Sequence, residues 1–140
     1  MATFTKFDAF VENIAEGVHD LGSDTLTVAL CAAASAPVAG NSVLADLTEV
    51  AYTNLSTRVI TTSTSAQTSG TYKLVLTDLV ITASGGSSSA FRYVVIYNDT
   101  PTSPADPLVG FYDYGSEITL ADTETLTLDF DGTNGLLQLA

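Results

Sequence analysis

The chain has 140 residues, of which 46% are hydrophobic and 14% are charged, and sixteen acidic residues against four basic ones give a formal net charge of −12. This length predicts one domain with its own hydrophobic core, and the low charged fraction argues against disorder. The charge excludes a surface built to bind nucleic acid or anionic membrane, because such surfaces use Lys and Arg. The negative charge can be interpreted as a means of solubility, as a match to a basic partner surface or as an adaptation to a salty habitat.

The N-terminal region, residues 1–22, is predicted to form a short helix or arm. Residues 7–16, FDAFVENIAE, carry apolar side chains at helical spacing, and Gly17 is a suitable stop for the helix. A bulged edge strand is the alternative interpretation of the same residues. The N-terminus lacks the basic start and the apolar segment of a signal peptide, and no apolar run approaches the ~20 residues of a membrane span. We therefore expect a soluble protein that is made in a cytoplasm.

The rest of the chain predicts one short strand after another. Residues 26–31 alternate between large apolar and smaller side chains, which is the pattern of a strand with two different faces. One helical turn is predicted at 44–50, and strands separated by turns rich in Gly, Pro and Asp follow from residue 58 onward. Because no helix lies between these strands, the predicted fold class is all-β, as a single β-sandwich of jelly-roll type over residues 1–140.

Residues 91–98, FRYVVIYN, are apolar on both predicted faces of a strand. Simple alternation places Phe91 on one face with Tyr93, Val95 and Tyr97. Residues 108–114 show the same property. A strand of this kind is either central between two layers of the protomer or has a second face that meets another subunit.

An interface with a partner is one hypothesis for these apolar faces, and an ordinary core is the other. Tyrosine rings with hydroxyls are enriched at protein interfaces, and the N-terminal arm is easily lent to a neighbour. The interface hypothesis assigns partner contacts to six residues: Phe7, Phe10, Tyr93, Tyr97, Tyr112 and Tyr114.

Reactive groups are few, since His19 is the only histidine and Cys31 the only cysteine. Cys31 lies in a strand-like run and is predicted to be a small buried hydrophobe. His19, in the run GVHDLGSD, is predicted to be a polar turn residue, because adjacent turn residues do not form a catalytic triad. No catalytic residue, cofactor or enzymatic activity is therefore predicted.

Residues 129–135, DFDGTNG, are the stretch most similar to a metal loop. Asp129, Asp131 and Asn134 offer oxygen ligands, but a calcium loop needs six to eight oxygens and usually a later Glu. Asp-Gly and Asn-Gly are also strong signals for a tight hairpin. We predict a hairpin turn here and no metal site.

Arg92 lies within an apolar strand and therefore needs an acidic partner. The candidate partners are Asp78, Asp99 and Asp113, among which the sequence does not choose. Such a pair either fixes the register of the strands or bridges two subunits, and we favour the first interpretation.

Several segments together resemble a family of small virion structural proteins of tailed bacteriophages. They are KFDAFVENIAEGVHDLGSDTLTVAL, LADLTEV, SGTYKLVLTDLVITASG, FRYVVIYND and PLVGFYDYG, with a terminal LxLA pattern, and they cover nearly the whole chain. The resemblance implies a non-enzymatic decoration or cement protein on the outer surface of the head, with the major capsid protein or other virion proteins as partners. A homo-oligomer, a trimer at shell junctions, is expected from how such junctions are built. A tail- or fibre-associated β-domain that binds glycans is the alternative.

Overall fold

The computed structural model describes residues 2–140 and is dominated by strands, which hold 42% of the residues against 10% in helices, so the all-β prediction is confirmed. One α-helix, α1, spans Asp8–Ala15, and two 3₁₀ turns span Ala33–Ser35 and Leu44–Asp46, the second within the predicted helical turn. The strands are β1 Thr5–Lys6, β2 Leu26–Cys31, β3 Val59–Ile60, β4 Thr62–Thr68, β5 Thr71–Leu76, β6 Leu79–Thr82, β7 Phe91–Asn98, β8 Leu108–Ile118, β9 Thr125–Leu128 and β10 Leu137–Leu139.

The strands form three antiparallel sheets. The largest has the order β1-β8-β7-β2-β3, a second has the order β10-β5-β4, and the third pairs β6 with β9. Side chains from all three sheets meet in a main core, with Val28 and Ile96 from the large sheet packed in the same cluster as Leu74 and Ile81 from the small sheets. In residues 2–140 no helix is long and apolar enough to cross a membrane.

A second core covers the other face of β7, so the two apolar faces predicted for this strand are both buried inside the protomer. Tyr93, Val95 and Tyr97 pack there with the fully buried Phe7, and the partly buried Leu44 and Leu47 close the cluster. The protomer therefore covers both faces of β7 with its own chain. The second face is covered by Phe7, just before α1, and by the 3₁₀ turn Leu44–Asp46 with the adjacent Leu47. The strict alternation predicted for β2 is confirmed, because its large residues enter the main core and its small ones the second core.

A register shift between β7 and β8 explains where simple alternation was wrong. The partners of Phe91 and Tyr93 on β8 are Ile118 and Asp113, so four residues of β8 bulge opposite Arg92. Phe91 consequently lies in the main core and not on the face of Tyr93. A bulge changes which face a residue occupies, and it leaves no signal in the alternation of one strand.

The predicted N-terminal helix is confirmed, and it has the predicted stop. The amide of Val18 donates to the carbonyl of Asn13 at 2.9 Å and the amide of Gly17 to the carbonyl of Ile14 at 3.3 Å, with Gly17 at φ +76°. These two bonds form a Schellman motif, which requires a left-handed residue and therefore favours glycine. The alternative interpretation of residues 7–16 as a bulged edge strand is wrong, because Asp8–Ala15 are helical, and the edge strand β1 lies before them at Thr5–Lys6.

Candidate functional site

An open apolar groove of about 460 Å³ lies where the large sheet meets the strand β9 and the turn after it. We call it the aromatic groove, because five of the residues that line it carry rings: Phe4, Phe91, Tyr112, Tyr114 and Phe130. Aliphatic side chains complete the lining, among them Ile118, Leu126 and Leu128, all half-buried. Its volume is within the roughly 300–1,000 Å³ of ordinary ligand pockets, which are also mostly apolar.

The N-terminal strand builds one wall of the groove. Phe4 packs against Tyr112 with ring centroids 5.3 Å apart, and β1 pairs with Gly110 and Phe111 of β8. Only glycine fits at position 110, because a Cβ there would lie 2.2 Å from Cζ of Phe4 and 2.8 Å from the carbonyl oxygen of Thr5. The absent side chain of Gly110 therefore allows the N-terminal segment to close over the sheet and to form the groove.

The floor of the groove is fixed by buried rings. Phe91 is fully buried and Phe130 is 4% exposed, and the amide of Phe130 donates to Oδ1 of Asp78 at 2.9 Å. This bond joins the segment after β9 to the segment between β5 and β6. The floor is thus held by the core, and the half-buried residues above it remain available for contact.

The rim of the groove carries tyrosine hydroxyls and carboxylates. Burial, together with the charge of Asp131, raises the pKa of Tyr112 to about 12, so this hydroxyl stays protonated and can donate. Tyr114 is 54% exposed. Asp129 and Asp131 are the acidic residues of the lining, and none of the described lining residues is Lys, Arg or His.

The turn at residues 129–135 organises one end of this rim. Oδ1 of Asp131 accepts from the amides of Thr133 and Asn134, both at 2.8 Å, and hydrogen bonds from Asn134 lower the pKa of Asp131. The predicted turn is confirmed, but the predicted hairpin is wrong, because β9 pairs with β6 and β10 pairs with β5. In residues 2–140 no group of three His, Cys, Asp or Glu is placed to hold a metal ion.

The six residues named by the interface hypothesis are not in one place. Four of them, Phe7, Phe10, Tyr93 and Tyr97, are at most 9% exposed and pack inside the protomer. Tyr112 and Tyr114 lie in the aromatic groove. Contact of these residues with a partner stays a prediction, and it is now concentrated on the two tyrosines that the protomer leaves accessible.

Arg92 pairs with Asp113, one of its three predicted partners. Nε and Nη2 of Arg92 donate to the two carboxylate oxygens at 2.7 and 2.9 Å, and this contact lowers the pKa of Asp113. The side chain of Arg92 is 31% exposed, so it is not the buried arginine that the strand pattern implied. The bulge of β8 opposite Arg92 explains the exposure.

His19 is buried, which corrects its prediction as a polar turn residue. It is 7% exposed, its ring packs 5.1 Å from Phe10, and its Nδ1 lies 3.1 Å from the amide nitrogen of Asn98. Burial lowers the pKa of His19, and the charge of Asp24 opposes this effect. Its buried polar partner Asn98 lies 79 residues further along the chain, so the local sequence gives no signal for this contact.

Cys31 and a pair formed by Arg58 and Tyr52, both half-buried, are structural. Cys31 is fully buried and unpaired, as predicted, and burial raises its pKa to about 11. Arg58 lies 3.5 Å above the ring of Tyr52 and donates to the carbonyl of Val28, while the hydroxyl of Tyr52 accepts from the amide of Leu30 at 3.0 Å. Sequence analysis did not identify this cluster, which fastens the segment before β3 onto β2.

The arrangement in the groove is suited to binding by shape, apolar contact and hydrogen bonds from tyrosine. Its rings are held by buried neighbours, so little order has to be gained on binding. No known protein family, curated protein or solved structure matches the chain.

Proposed function

We propose that the protein is a non-enzymatic structural component of a tailed-bacteriophage virion, a decoration or cement protein that binds the outer surface of the head shell. The similarity of its segments to such proteins is the support from sequence. The aromatic groove is the single structural observation that carries the proposal, because it is an apolar surface that the protomer leaves open while covering both faces of β7.

The groove has the composition of the centre of an interface. Tyrosine and phenylalanine are enriched where binding energy concentrates, and such anchors are normally surrounded by weaker contacts that exclude water. A stable interface buries about 800 Å² on each partner, so the surface around the groove also takes part. The exposed Thr127 in the lining suits this role, because a short side chain loses little rotamer entropy when it is covered.

The strong negative charge supports a position on the outside of the head. At net −12 the molecule is repelled by packaged DNA and attracted by a basic shell surface. We further propose a sandwich of jelly-roll type and a trimer at shell junctions. Light scattering on the protein in solution, and on protein released from shells, tests the trimer. Comparison of the strand connections with the topology of a jelly roll tests the fold.

Binding to shells is the experiment that tests the function. Purified shells that lack the protein are mixed with it, sedimented, and examined by electron cryomicroscopy. We expect saturable binding with a copy number comparable to that of the major capsid subunit. Absence of binding, or a few copies at one vertex only, would contradict the proposal.

A matched pair of variants connects binding to the groove. Tyr114→Ser removes an exposed ring from the groove, and Val11→Ser removes an apolar side chain of similar exposure, 52%, from α1. We expect at least a tenfold loss of shell affinity for the first variant, because interface anchors are worth more than ~1.4 kcal/mol, and no change for the second. Equal effects of the two variants would show that the groove is not the contact.

A glycan-binding adhesion domain of the tail or a fibre is the second candidate function. The exposed ring of Tyr114 and the carboxylate of Asp129 line the same groove, and a ring and a carboxylate can also stack on and hydrogen-bond a sugar. A glycan array separates the candidates, since specific saccharide binding supports adhesion and a blank array supports the shell-binding role.

A further inference from the structure

We propose that the aromatic groove receives an apolar side chain from a segment of the shell protein that carries a Lys or Arg directly beside it, with the cation against Asp129 and the tyrosine rings. This inference rests on the proposed function and specifies the partner. The apolar side chain displaces water from the floor of Phe91 and Phe130, and the cation remains at the rim.

The charges around the groove favour a cation. Asp129 is exposed at the rim, and the nearest basic side chain, Lys73, donates to the carbonyl of Thr133 at 3.2 Å and acts on Asp131. Asp131 is therefore partly compensated by Lys73 and by its own turn, whereas Asp129 is the carboxylate left for a ligand. An anionic ligand would meet two carboxylates and a net charge of −12.

The rings favour a cation for a second reason. Tyrosine and phenylalanine attract a cation placed over the ring face, by about 0.5–1 kcal/mol at exposed sites and more where water is excluded. The chain already makes this contact internally, with Arg58 over Tyr52 at 3.5 Å and Arg92 near Tyr93 at 5.3 Å.

A second copy of the same chain is a poor occupant. The chain has four basic residues, of which Arg58 and Arg92 are engaged inside the protomer and Lys73 lies at the turn beside the groove. The fourth, Lys6, stands between a polar threonine and the fully buried Phe7, so it has no exposed apolar side chain directly beside it. Two molecules of charge −12 also repel each other. These charges point to a different, basic polypeptide.

Three small probes with one hexyl chain test the chemistry without any shell. Hexyltrimethylammonium, hexyl sulfate and hexanol are titrated into the labelled protein, and binding is followed by NMR shifts of Tyr112 and of the methyl groups of Leu126 and Leu128. We expect the ammonium to bind at least about threefold more tightly than hexanol, the sulfate to bind most weakly, and the preference to shrink as salt is added.

Three variants assign the preference to one carboxylate. Asp129→Asn should weaken the preference for ammonium over hexanol, leaving only the part due to the rings, Asp129→Glu should keep the full preference, and Glu12→Gln, which removes an exposed charge on α1, should change nothing. Equal binding of ammonium and sulfate, or an Asp129→Asn variant that keeps the full preference, would overturn the inference.

The same variants on shells distinguish this inference from the proposed function. If shells do not bind the wild-type protein, the proposed function fails, whatever the probes show. If shells bind and the Asp129→Asn variant binds them equally well at every salt concentration, the partner has no cation at this site and only the inference fails. Self-association that the same variant abolishes would identify a second copy as the occupant and would also overturn it.

Discussion

Replacement of Gly110 by alanine should release the N-terminal strand from the sheet. The new Cβ would lie 2.2 Å from Cζ of Phe4, whereas ordinary contact begins at 3.4 Å, so the ring must retreat by at least 1.2 Å. A ring can rotate away, but the carbonyl oxygen of Thr5, only 2.8 Å from the new atom, belongs to the backbone of β1. The strand therefore has to move as a whole.

The energy of this substitution has a natural limit. If β1 stays in place, the overpacking costs about 1–3 kcal/mol. If residues 2–6 are released instead, the protein loses the packing of the half-buried ring of Phe4 and the pairing of β1 with β8, but the released residues regain conformational entropy. We therefore expect a loss of unfolding free energy no greater than about 3 kcal/mol, with the rest of the sheet intact.

Hydrogen exchange measures this outcome directly. In the Gly110→Ala variant the amide of Thr5, which faces β8 two residues before the Phe7 amide that donates to the carbonyl of Val109, should exchange at least about tenfold faster. This is the change expected when ~1.4 kcal/mol of local stability is lost, and the amides of β2 should not change. Gly40→Ala is the matched control, because a Cβ at Gly40 meets no atom within 4 Å. Unchanged protection of the Thr5 amide in the Gly110→Ala variant would refute the reasoning.

Three other predictions concern buried and paired groups. Because the pKa of His19 is lowered in the folded protein, the unfolded chain binds the proton first as the pH falls, so the free energy of unfolding should be greatest above pH 6.5 and decrease below it by at most about 1.4 kcal/mol per pH unit. His19→Gln, which keeps an acceptor for Asn98, should flatten this pH dependence in urea melts, and the same pH dependence in variant and wild type would contradict the prediction. Cys31, with its pKa raised to about 11 and no exposure, should react with a thiol reagent at pH 8 more than about 100-fold more slowly in the folded than in the urea-unfolded protein, and rapid labelling of the folded protein would count against its burial. A double-mutant cycle on Arg92 and Asp113 should give only a weak coupling that 0.5 M salt nearly removes, because both side chains are exposed, and a coupling insensitive to salt would refute this.

Local patterns predicted the elements whose causes lie in neighbouring residues. The helix at 8–15, its stop at Gly17 and the two faces of β2 follow from spacing within a few residues. The turn between β4 and β5 is one of the glycine-containing turns predicted after residue 58, and in it Ser69 and Gly70 take positive φ values of 52° and 83°.

The remaining features depend on contacts between distant segments. His19 is buried in contact with Asn98, and a bulge in β8 sets the face of the sheet that Phe91 occupies. Neither feature could be deduced from neighbouring residues in the sequence. The aromatic groove combines Phe4, Tyr112 and Phe130 from opposite ends of the chain. Sequence analysis identified Tyr112 and Tyr114 as candidate contacts but missed Phe4 and Phe130, because nothing in their neighbourhoods distinguishes a wall of a groove from an ordinary core residue.

The pairing of β1 with β8 has a consequence for synthesis on the ribosome. Thr5 and Lys6 pair with Phe111 and Gly110, which are translated more than a hundred residues later. At ordinary elongation rates of about 5–20 residues per second, Phe7 therefore leaves the exit tunnel some 5–20 s before its partners do. During that interval the rings of Phe4, Phe7 and Phe10 in the nascent chain are uncovered, and chaperones can bind them until β8 emerges and closes the domain.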